Sequence, residues 1–173
     1  MLYPFDSEYN ADKFLEIMQN EMQNWESHNF PGREPWMPLM GLVEELGELE
    51  GSMFSEEVND AIGDCFIYLA DYCNAKDYNL QELYNKRSND TVSVNHVIVH
   101  LGKLAHAHLK NAQQIRMHED HDAAGKEAIK HIIGYLTSFH PKNAVQKIIW
   151  EVWVKVRKRD WQKNRNTAHE ETK

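Results

Sequence analysis

The chain has few of the residues that cross-link, stiffen or break a fold. Its only cysteines, Cys65 and Cys73, fall on one predicted helix, about 12 Å apart and too distant to pair with each other. Unpaired, buried thiols suit a reducing compartment, and the cytoplasm is the expected location. No run of about 18 apolar residues occurs, so no transmembrane helix is expected. The opening Met1-Leu-Tyr-Pro-Phe-Asp-Ser-Glu8 has neither a basic region nor an apolar core, and no signal peptide is expected. Positive charge is also scarce. A formal net charge of −8 speaks against a nucleic-acid binder, which needs a clustered positive surface. Strand signals are almost absent, while apolar residues recur at helical spacing. With 173 residues, 42% of them hydrophobic, the chain suffices for one core or for two small units sharing one. The expected fold class is an all-α helical bundle.

A first helix is predicted from Ser7, as N-cap, to Ser27, burying Phe14, Leu15, Met18, Met22 and Trp25. Asn29 to Pro38 reads as a proline-punctuated loop. Helices over 38–54 and 56–75 follow, with Ser55 placed to cap the second. A short helix at 80–87 and a linker, Ser88 to Asp90, lead to three more helices at 93–117, 121–139 and 143–163.

Against this apolar background, six carboxylates lie in the two segments expected to be most buried. Glu44, Glu45 and Glu48 fall in Gly41–Leu49, and Glu57, Asp60 and Asp64 in Glu57–Leu69. On a helix, the first three spread over about 100°, with Leu42, Leu46, Leu49 and Met53 on the other side. Glu57, Asp60, Asp64 and Asp71 share an arc of about 60°. Two such rows repel each other unless cations lie between them. Oxygen-only ligands suit a hard divalent ion, so Mg²⁺ is the expected cofactor, with Mn²⁺ able to substitute. Gly47, Gly51 and Gly63 each cost about 1 kcal/mol in a helix interior and are read here as points of close backbone packing.

The chain also matches itself. Leu46-Gly-Glu-Leu49 reappears as Leu101-Gly-Lys-Leu104, and Asp60-Ala-Ile-Gly-Asp-Cys-Phe-Ile-Tyr-Leu69 as Glu127-Ala-Ile-Lys-His-Ile-Ile-Gly-Tyr-Leu136. The second copy carries 12 more residues between its helices, among them His106, Lys110, Arg116 and His118, which are placed to lean over the first copy's site. Its acids are gone. Val99, His100 and Lys103 stand for Glu44, Glu45 and Glu48, and Glu127 and His131 stand for Asp60 and Asp64. The chain therefore reads as a tandem pseudo-two-fold repeat: 1–90 with the acidic site, 91–163 degenerate, and a polar tail at 164–173.

These residues resemble the signature of the all-α nucleoside triphosphate pyrophosphohydrolases, which include MazG-like proteins and dimeric dUTPases. That signature is EExxE on one helix and ExxD on the next. Glu44-Glu45-Leu-Gly-Glu48 matches the first part, and Asp64 with Phe66-Ile-Tyr-Leu69 matches the aspartate and its apolar sequel. The remaining glutamate is Ala61 here; Asp60, one turn before Asp64, or Glu57, a turn earlier, stands where it can take over. Val152 to Trp161 is similar to the end of single-copy MazG-like chains. The resemblance implies Mg²⁺-dependent hydrolysis of an NTP or dNTP to the monophosphate and pyrophosphate, serving to cleanse the nucleotide pool. It also implies metal ligands Glu45, Glu48, Asp60 and Asp64, with Glu44 accepting a proton from the attacking water or holding that water by a hydrogen bond. Trp25, His28, Phe30 and Trp36 are candidates to hold the base, and Lys86 and Arg87, or the cluster Lys155, Arg157, Lys158 and Arg159, to reach phosphates. Open two-helix layers leave apolar surface, so a homo-oligomer, in the simplest case a dimer, is expected. Two other readings compete. A carboxylate-bridged di-metal oxidoreductase bundle expects Glu-x-x-His on two helices, which the acidic pair lacks. A non-enzymatic MazG-like regulatory protein would explain why half of the chain has lost its acids.

Overall fold

The computed structural model describes residues 13–90 and 93–165. Within them the chain forms seven α-helices and no strand. They are α1 (Phe14–Asn29), α2 (Trp36–Gly51), α3 (Ser55–Ala75), α4 (Leu80–Asn85), α5 (Val94–Gln113), α6 (His121–Leu136) and α7 (Lys142–Val156). The expected cap Ser7 lies outside the described residues. None of the helices is long and apolar enough to cross a membrane.

Several helix ends differ from the sequence reading, for local reasons. α2 takes in the last residues of the predicted loop, because Pro38 sits in its first turn, where no intrahelical N–H bond is required. Ser55 is the first residue of α3 and not its cap: Phe54 holds the cap position and makes no side-chain bond. Side-chain caps come instead from Asn79, which accepts from Glu82 N at 2.8 Å, and Asp120, which accepts from Ala123 N at 2.9 Å. α5 stops at Gln113, with Gln114 at φ 53° in the left-handed region. α7 stops at Val156, and residues 157–165 form turns against the end of α1. Met53, expected on the apolar stripe of α2, lies past its end and is 87% exposed.

α3 is central, touching α1, α2, α4 and α7, and is buried almost without a break from Ala61 to Cys73. Phe14, Met18, Met22, Leu42, Ile62, Phe66, Tyr84, Ile129, Ile149 and Trp153 belong to one continuous core. Each side chain of this size contributes about 1.5–3 kcal/mol on full burial. α2 with α3 and α5 with α6 each pack as an antiparallel pair, and α5 also touches α2. α7 returns to pack on α3 and α1. It can do so because Gly63 has no side chain: a Cβ there would lie 2.4 Å from Val152 Cγ2. Gly47 and Gly51 do not behave this way. No atom lies within 4 Å of a Cβ at either position, so their expected role in close packing is not seen.

α6 is clamped in a similar manner. Ser88 N donates to Lys130 O at 3.2 Å, and the Ser88 carbonyl lies where a Cβ on Gly134 would go. Gly134→Ala should therefore force a backbone shift and cost about 1–3 kcal/mol. Gly47→Ala should be neutral or stabilise by up to about 1 kcal/mol. Urea unfolding of the two variants measures the contrast.

Candidate functional site

The site starts with the register of α2 against α3. The Tyr68 ring lies across α2 at Gly41, where a Cβ would fall 2.2 Å from Cε1. One turn along each helix, that register brings Glu45 and Asp64 to the wall of one cavity of about 460 Å³. Burial, then the charges of Asp64, Glu48, Glu44 and Asp60, push the Glu45 carboxyl up to about 8. Burial and Asp60 push Asp64 up to about 6, against the opposing pull of Arg159. Two partly buried acids thus crowd across the helix pair, with Arg159 and Lys155 offsetting Asp64 alone, and Glu45 holds its proton at neutral pH.

The opposite end of the cavity is built differently. Arg33, on the Pro31–Gly32 loop, pairs with Asp71 of α3 at 2.5 Å and lies over the Phe30 ring at 5.0 Å and the Tyr68 ring at 5.9 Å. Beside them Glu26 of α1 is pushed up to about 8 by burial and by Asp71, with which it shares a hydrogen bond. The pair thus keeps one proton at neutral pH. Trp25, Phe30, Ile67, Tyr68 and Trp161 supply the apolar walls between the two ends. The far wall comes from the segment after α7, held in place by buried Asn29. Its Oδ1 accepts from Trp161 N at 2.7 Å, and its carbonyl accepts from Gln162 Nε2 at 2.7 Å. Trp25 Nε1 donates to Arg159 O at 3.0 Å.

Of the residues singled out from sequence, Glu45, Asp64, Asp71, Trp25, Phe30 and Arg159 line this cavity. Glu44 and Glu48 are exposed on α2, near enough to act on Glu45 through charge. Asp60 is exposed on α3, where Lys155 pairs with it at 3.5 Å. His28 is outside the lining and meets Asp160 at 3.3 Å. Trp36, 51% exposed at the start of α2, is also outside it. Lys86 pairs with Glu82, and Arg87 lies over Tyr84, so neither reaches the cavity. His106, Lys110, Arg116 and His118 do not line it either. Glu26, Arg33, Tyr68 and Trp161 are cavity residues that the sequence reading did not single out. Among the described residues no three His, Cys, Asp or Glu side chains converge tightly enough to cage a metal ion unaided. Comparisons with protein-family models, curated proteins and solved structures find no match.

A carboxyl whose folded pKa is raised stabilises the fold fully below its ordinary pKa and loses that contribution as pH climbs through the folded value. For Glu45 this window runs from 4.5 to about 8, and Glu26 shares it. The protein should therefore melt at falling temperatures as pH rises across that range. Glu45→Gln should flatten the slope in thermal melts followed by circular dichroism.

Proposed function

We propose that the chain is a Mg²⁺-dependent nucleoside triphosphate pyrophosphohydrolase of the MazG-like type, acting on NTPs or dNTPs. The observation that carries this reading is one cavity with two unlike ends: aromatic walls and a charge-balanced polar end on one side, Glu45 and Asp64 from facing helices on the other. The donors fit the ion. Mg²⁺ keeps several waters and is held by one or two carboxylates together with substrate phosphates, which suits a pair of acids with no third protein ligand beside them. Glu45 and Asp64 would hold it, with Glu48 and Asp60 on adjoining turns adding charge. When bound, Mg²⁺ supplies charge neutralisation for the phosphates and activation of water. The chain's own part is positional. Tyr68 and Trp25 flank the nucleoside, Arg159 offers a cation to the phosphates, and Glu44 stands beside Glu45 as the group to take up a proton from water.

The tandem-repeat reading has its own support. His100 and His131, which stand in sequence for Glu45 and Asp64, face each other across α5 and α6, stacked at 3.7 Å and 10°. On this reading the second hairpin repeats the register of the first with its acids replaced, and it carries no catalytic metal. Self-association is supported by the exposed apolar side chains Trp36, Met40 and Val43 on α2 and Ile98 and Val99 on α5.

Incubation with each common NTP and dNTP in Mg²⁺ should release pyrophosphate from at least one. Glu45→Gln and Asp64→Asn should each lower that turnover more than tenfold while keeping the helical circular dichroism of the parent, because losing a ligand removes several kcal/mol of transition-state stabilisation. Nucleotide binding without turnover under any divalent ion would instead favour the regulatory reading.

A further inference from the structure

The closed end of the cavity is over-equipped for packing alone. Burying two carboxyls and a guanidinium costs more than burying apolar residues of the same size. Asp71 is only 5% exposed, in the middle of an otherwise apolar run of α3. Its partner Arg33 is fully committed, paired with Asp71 at 2.5 Å and laid over Phe30 and Tyr68. Both acids line the cavity, and Glu26 Oε1 is buried there without a hydrogen-bond partner. Because the two acids share one proton and Arg33 balances the remaining charge, this end is close to neutral. It suits an uncharged group, whereas the Glu45 and Asp64 end suits a cation-bound, charged one. The spacing fits as well. Asp64 and Asp71 are two turns apart on one helix, about 10 Å, comparable to the reach of a nucleoside from its base edge to its first phosphate.

We propose that Glu26 and Asp71 read the edge of the base, and that the site selects nucleotides whose base carries an exocyclic amino group over those with a carbonyl in its place. An amino group donates to a carboxyl oxygen; the O4 of uracil or thymine would set acceptor against acceptor and leave both unpaired. The proposal rests on the nucleotide reading given above and deepens it.

Cytosine and uracil nucleotides, which match in size and differ at this edge, form the test. Calorimetry in Mg²⁺ with the non-hydrolysable α,β-imido analogues of dCTP and dUTP should show the cytosine form bound roughly ten- to a hundredfold tighter by the wild-type protein. Asp71→Asn, which puts an amide donor in place of a carboxylate oxygen, should narrow or invert that ratio. Glu26→Gln, which mimics the protonated carboxyl, should preserve it. Equal affinity for the two analogues, or preference for uracil, overturns the proposal on the wild-type protein alone, even if Asp71→Asn does not fold. An unchanged ratio in a folded Asp71→Asn protein also overturns it. Failure of every nucleotide, purine or pyrimidine, to bind would overturn the nucleotide reading itself and this proposal with it.

Discussion

The structure turns on α3, a helix enclosed by α1, α2, α4 and α7 that nevertheless carries carboxylates along one line. A helix packed on so many sides has no solvent face to which a row of acids can be assigned. Asp60 resolves this at the exposed end of the helix, near solvent and Lys155. Asp64 and Asp71, deeper in, need something polar opposite them, and the cavity is what the fold provides. Close packing at Gly63 and Gly41 draws α7 and Tyr68 tightly around the same helix, so the space left open is confined to the line of acids.

The two ends of the cavity handle buried acid in opposite ways. Asp71 has a guanidinium and a proton shared with Glu26, which makes that end self-sufficient. Glu45 and Asp64 have only the more distant attraction of Arg159 and Lys155 for Asp64, and they stay raised above ordinary carboxyls. The α5 and α6 pair meets the same problem with imidazoles. Burial, His131 and Lys103 hold His100 below its ordinary value, so this ring stays neutral where it stacks on His131.

Much of the helix layout was legible from apolar spacing, since periodicity reports burial directly. The all-α class and the presence of all seven helices followed from it, as did most of the core of α1 and α2. Helix ends were less legible. Pro38 reads as a breaker yet is tolerated in a first turn, and Ser55 has the chemistry of a cap but lies one residue inside the helix. In the site, Glu45 and Asp64 stood out because acids on apolar helices are conspicuous. Glu26 and Arg33 did not, because a glutamate near the end of an amphipathic helix and an arginine in a proline loop look ordinary until the chain brings them to Asp71. Lys86 and Arg87 drew notice as cations, but linear sequence does not say that local partners, Glu82 and Tyr84, already hold them.

The cavity is assembled from residues far apart in the order of translation. Trp25, Glu26 and Arg33 emerge from the ribosome early, while the wall formed by Arg159 and Trp161, pinned on Asn29, comes more than a hundred residues later. Until that segment arrives, the slot beside Trp25 is open and Asp64 lacks the cation that tempers it. A growing chain therefore cannot close this cavity before nearly all of its helices have been made.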